Sequence, residues 1–144
     1  MKLVLCTRKA SPTSFLLRAY LSSRWSHAAI YDDERGVVFD ATFAHGGCRV
    51  WPDSEFFARY PAHELRTIAV DADDVPQARL WLDAQLGKPY DWQALAGIFM
   101  RRDWADEGRW FCSEMAEAFR TQFERRRFLA DASRITPEHL AMTV

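Results

Sequence analysis

Two apolar runs, His27-Ala28-Ala29-Ile30-Tyr31 and Val37-Val38-Phe39-Asp40-Ala41, flank a polar segment, Asp32-Asp33-Glu34-Arg35-Gly36. Strand-length apolar runs joined by such a segment, with glycine near its end, read as a β-hairpin. The hairpin commits the chain to antiparallel pairing, and the other elements have to arrange themselves around it. Residues 2–6 read as a first strand. Ser11-Pro12 opens a helix along which Phe15, Leu16, Ala19 and Tyr20 recur at helical spacing. Gly46-Gly47 marks a loop before Arg49-Val50-Trp51. A short helix is expected over 53–60, capped by Asp53 and stopped by Pro61, and a strand over 64–70. A helix over 74–86 carries Ala78, Trp81 and Leu82 and closes at Gly87.

Pro89-Tyr90-Asp91-Trp92 starts an irregular-to-helical stretch with Leu95, Ile98 and Phe99 apolar, and a charged loop over 101–109 leads into a helix beginning at Cys112. Ile135-Thr136-Pro137 is a turn with a short helical start. With no internal repeat and no linker, residues 1–144 are expected to form one domain. Helices before, between and after a run of strands give the α+β class, with an antiparallel sheet packed against helices.

Composition narrows the function. At 144 residues, 49% hydrophobic and 27% charged, the chain has the balance of a folded globular protein. A net charge of −1 provides no field for nucleic acid or anionic membrane. The basic run Arg125-Arg126-Arg127 follows a helix, where cations favour the negative dipole end, and reads as a solvated helix end. Only a short apolar run precedes Arg8, so no signal peptide and no integral membrane segment are expected, and the chain is expected to be cytoplasmic as synthesised. Three cysteines without a paired framework suit a reducing compartment. None has zinc-site spacing and the four histidines are scattered, so neither a metal nor a cofactor is expected.

The chemistry centres on Cys112. A thiol at a helix N-terminus faces unsatisfied backbone N–H groups and the positive end of the dipole, which favour thiolate and bind an oxyanion. A competing reading is that Cys112, Met115, Ala116, Phe119 and Phe123 form one buried stripe. His27 starts an apolar strand where Val or Ile would be more natural, and it is either a satisfied structural histidine or the base a thiol nucleophile requires. Asp40 interrupts the partner strand. If Tyr31 pairs with Gly36, His27 faces Asp40 directly; if Asp32 pairs with Val37, the two are diagonal, and in both registers they share a face. A carboxylate there would orient the imidazole. Trp25, Ser26 and Tyr90 are candidate substrate contacts. His45 belongs to the glycine loop, His63 and His139 read as surface residues, Cys6 as core and Cys48 as a loop thiol.

In order along the chain, Ser26-His27-Ala28-Ala29-Ile30-Tyr31, Val38-Phe39-Asp40-Ala41, Gly47-Cys48-Arg49-Val50, Leu86-Gly87-Lys88-Pro89-Tyr90-Asp91, Phe111-Cys112-Ser113-Glu114-Met115 and Ile135-Thr136-Pro137 resemble the circularly permuted NlpC-like branch of the papain-like cysteine peptidases and amidases. In that branch the histidine strand precedes the cysteine helix. Ala28-Ala29 departs from a more usual Val-Gly, Met115 from Leu, and Asp40 stands where other polar groups are commoner. The resemblance implies a papain-like fold, Cys112 as nucleophile, His27 as base, Asp40 as third residue and Tyr90 lining the site. It implies a peptide or acyl-amide substrate, including cell-wall peptides, to which another system would deliver a cytoplasmic product. Two alternatives remain: a lipid acyltransferase or thioesterase of the same fold, and a non-catalytic binding or assembly protein whose aromatic richness serves a groove.

Overall fold

The computed structural model describes residues 1–8, 12–20, 22–91, 93, 108–124 and 134–143. Their elements in chain order are β1 (Lys2–Thr7), α1 (Pro12–Tyr20), β2 (His27–Asp32), β3 (Val37–Thr42), β4 (Gly47–Pro52), α2 (Asp53–Arg59), β5 (Ala62–Thr67), α3 (Val75–Gln85), α4 (Cys112–Phe123) and α5 (Pro137–Met142). Short 3-10 turns, Phe43–His45 and Ala72–Asp74, precede β4 and α3. The expected helical stretch with Leu95, Ile98 and Phe99, most of the charged loop, and the basic run at 125–127 lie outside the described residues. No helix among the described residues is long and apolar enough to cross a membrane.

The five strands form one antiparallel sheet in the order β4-β3-β2-β1-β5, so the fold is α+β. Of the two hairpin registers, the chain adopts Asp32 opposite Val37, with Gly36 at φ +63° in the turn. Glycine takes this left-handed conformation without a Cβ penalty. Asp32 is fully buried and receives two hydrogen bonds from Arg79 of α3 at 2.8 and 3.0 Å. Burial opposes its ionisation, but the Arg79 hydrogen bonds and the Arg35 N–H outweigh that and hold the carboxyl below its usual range.

Side chains alternate across the sheet. Leu3, Leu5, Ala28, Ile30, Phe39 and Ala41 pack on one face against Met115, Ala116 and Phe119 of α4 and Ala78 and Leu82 of α3. Full burial of side chains such as Met115 and Phe119 contributes about 1.5–3 kcal/mol each. The opposite face packs Val4, Cys6, Ala29 and Val38 against Phe56 and Tyr60. His27 and Asp40 share the parity of this second face.

Several expectations are corrected. Arg49-Val50-Trp51 lies in an edge strand, β4, that the adjacent glycines and Pro52 obscured. Asp53 is the first residue of α2 and does not cap it; its carboxylate instead accepts from the Tyr31 hydroxyl at 2.8 Å. The fifth strand ends at Thr67, before Ile68 and Val70. Helix α1 forms, but Phe15, Leu16 and Tyr20 face outward, and among the described side chains it is Ser14 that is buried.

Candidate active site

His27 is the first residue of β2, opposite Cys6 of β1. Carried down the β2–β3 ladder, the observed register places Asp40 diagonal to it on the same face. His27 Nε2 and Asp40 Oδ1 are 2.5 Å apart, with the carboxylate 2% exposed. A carboxylate only accepts, so Nε2–H is the donor, and this fixes Nδ1 as the remaining ring nitrogen for proton exchange. The Tyr60 ring stacks on the imidazole, 5.4 Å between centroids and 15° between planes. Burial disfavours the imidazolium, but the Asp40 charge and hydrogen bond, with Tyr60 and Cys112, outweigh it and raise the His27 pKa well above the usual imidazole value.

Cys112 is the first residue of α4. The Glu114 carboxylate accepts from the Phe111 N–H at 3.2 Å, and Met115 N–H makes the first intrahelical bond, to Phe111 O at 3.0 Å. The amides between them have no acceptor within the helix. The helix is buried on most of its circumference, and Met115, Ala116, Phe119 and Phe123 join the main core as the stripe reading expects. Cys112 does not. It is buried in a separate small cluster with Phe111 and Tyr90.

Tyr90 is positioned by a clamp between the sheet and α4. Cys48 N–H donates to Lys88 O at 2.8 Å and Gly87 N–H to Cys48 O at 3.0 Å, tying this segment to β4. Asp91 N–H donates to Trp110 O and Trp110 N–H to Pro89 O, tying it to the residue before Phe111. Gly47 is required at the crossing: a Cβ there would lie 2.1 Å from Lys88 O, at φ +144°. Tyr90 then sits edge-on between Phe43 and Phe111. Burial, with the nearby Cys112 and Asp40, raises its phenol pKa well above the usual value.

Cys112, His27, Tyr60, Tyr90 and Ser26 line one pocket of about 220 Å³. Comparison with known proteins returned nothing. No family model, no curated protein and no solved structure matches this chain.

The pocket thus brings together Cys112, His27 and two of the three expected contacts, Ser26 and Tyr90, with Asp40 behind His27. Trp25 is a correction: it is 3% exposed inside the main core, with Arg24 over its ring at 4.6 Å, and it is not part of the pocket lining. Sequence reasoning missed Tyr60, whose only signal is its place at the end of the short helix expected over 53–60, before Pro61. It also missed Ser14, whose hydroxyl meets those of Ser26 at 2.5 Å and Thr7 at 3.2 Å. All three cysteines are buried, but Cys48 and Cys6 sit in the two core clusters whereas Cys112 lines the pocket. Burial pushes the Cys6 thiol to about 12 despite the opposing charge of His27, and burial with Asp40 pushes Cys48 to about 12 against Lys88. Cys48 is also buried, against Met115 at 3.4 Å between sulfurs, rather than the loop thiol expected. Among the described residues, no three of His, Cys, Asp and Glu converge as a metal site needs.

Proposed function

We propose that the protein is a cysteine hydrolase of permuted NlpC-like, papain-like fold, cleaving amide bonds through Cys112, His27 and Asp40. One observation carries the reading: Cys112, at a helix N-terminus, and His27, fixed by Asp40, line the same pocket. In the proposed reaction Cys112 Sγ attacks the carbonyl carbon as thiolate, with His27 as its imidazolium partner. The tetrahedral oxyanion is held by the Cys112 N–H at the start of α4. Collapse breaks the C–N bond as His27 Nδ1 gives its proton to the leaving amine, leaving a thioester. Water then attacks the thioester, His27 takes its proton, and the acid and thiolate separate. Asp40 stabilises the imidazolium throughout, and the raised His27 pKa suits a group that must hold a proton until the leaving group needs it.

The test is incubation with cell-wall peptides and with acyl amides and esters, in wild type and Cys112→Ala, with intact-mass detection of the acyl-enzyme. A Cys112-dependent adduct on either class supports the hydrolase chemistry, and the class identifies the substrate. An adduct from lipid donors alone, with acyl transfer to a second acceptor, supports the transferase alternative. Turnover that survives in Cys112→Ala overturns the mechanism.

A further inference from the structure

Two arginines that the proposed chemistry does not use stand at the rim of the same pocket. Arg8 follows the end of β1, and Arg59 closes α2 immediately before Tyr60. Both line the cavity with His27 and Cys112, and among the described residues no aspartate or glutamate does. Neither guanidinium is held by a carboxylate among the described residues; Arg59 lies over the Trp51 ring at 5.7 Å. His45, on the turn before β4, feels the same two guanidinium charges: its pKa is lowered by burial and then by Arg59, Arg49 and Arg8, against the opposing charge of Asp40. Ser14 and Ser26 add hydroxyls to the polar wall, while Leu17, Phe43 and Ala44 make the apolar one.

We infer that Arg8 and Arg59 form a subsite for an anionic group, carboxylate or phosphate, carried by the substrate within a few bonds of the carbonyl that Cys112 attacks. The inference rests on the hydrolase reading for the identity of the reacting atom. The distance follows from the shared lining: both arginines and Cys112 border one cavity of about 220 Å³, so the anionic group and the reacting carbonyl sit close together. A planar guanidinium binds either oxyanion through paired N–H donors. Asp40 does not line the pocket; it is buried behind His27 and engaged with it.

Alkylation by two reagents of nearly the same size tests the subsite without knowledge of the substrate. Iodoacetate is an anion and iodoacetamide is neutral; both lose iodide to the Cys112 sulfur. The ratio of their rates at Cys112, followed by peptide mass spectrometry, is compared in wild type, Arg8→Gln, Arg59→Gln and the double variant. The expected result is a fall in the iodoacetate-to-iodoacetamide ratio of about threefold per arginine at low salt, diminishing as salt screens the rim. Protection by succinate or by inorganic phosphate distinguishes the two sources of anion. A ratio that is the same in all four proteins overturns the subsite while leaving the nucleophile intact. Cys112 inert to both reagents sinks the hydrolase reading instead. The subsite is then judged by chemical-shift titration with succinate and phosphate: shifts abolished in the double variant support it, and shifts indifferent to the arginines overturn it.

Discussion

Asp40 lies diagonally across the β2–β3 ladder from His27, and its Oδ1 accepts from His27 Nε2 at 2.5 Å inside a nearly dry face of the sheet. The pair is a consequence of register. A slip of one residue would send one partner to the opposite face.

Replacing Asp40 by Asn removes the charge that outweighs burial at His27. In wild type the folded-state pKa stands well above the value of about 6.5 expected in the unfolded chain. The fold therefore prefers the protonated ring. The stability this contributes is fully present below about pH 6.5 and is lost as pH rises through the folded-state pKa. In Asp40→Asn burial dominates, the His27 pKa drops, and that alkaline loss disappears. Titration of the His27 ring protons by NMR, with urea midpoints across pH, reads both effects. Turnover is expected to fall roughly 10²–10⁴-fold.

The three thiols are expected to separate cleanly. Cys6 and Cys48, both buried and pushed to about 12, stay unmodified by iodoacetamide in the native protein at neutral pH. Cys112, which shares its pocket with His27, takes the label, and slows in His27→Ala. Labelling of Cys6 and Cys48 appears only when denaturant is added. Native labelling that spreads evenly over all three sites would contradict the proposed role of Cys112.

Gly47→Ala is expected to destabilise the fold by about 2 kcal/mol or more, because the new methyl meets Lys88 O and the backbone sits at φ +144°. Relief requires the segment carrying Tyr90 to leave β4, so the Tm and the turnover fall together. Gly46→Ala is the contrast, since at Gly46 the backbone is left-handed but nothing lies near the added Cβ. A variant as stable and active as wild type at position 47 would show that the clamp does not hold Tyr90.

Much of this arrangement was legible in the chain, for local reasons. The hairpin, the odd histidine on an apolar strand and the aspartate on its neighbour are separated by few residues, so either allowed register put them on one face. The failures have equally specific causes. Helical spacing at Phe15, Leu16 and Tyr20 identifies a helix but not which side it buries, and here the polar Ser14 goes inward. Local propensity makes Asp53 a cap, whereas a tertiary partner, Tyr31, takes its carboxylate. Tyr60 over His27 and Arg59 and Arg8 at the rim are contacts between ends of different elements. Single aromatic and basic residues carry no periodicity that would announce them.

Strands β1 to β4 pair each with the next, whereas β5 and the helices α3, α4 and α5 reach back over longer stretches of chain. Contacts close in sequence cost less loop entropy to form. During synthesis the His27–Asp40 pair can therefore assemble with its hairpin while the segment bearing Cys112 is still being made. The histidine–aspartate pair comes first and the sulfur last, so on the proposed reading a nascent chain stays inert until the helix that starts at Cys112 has been made.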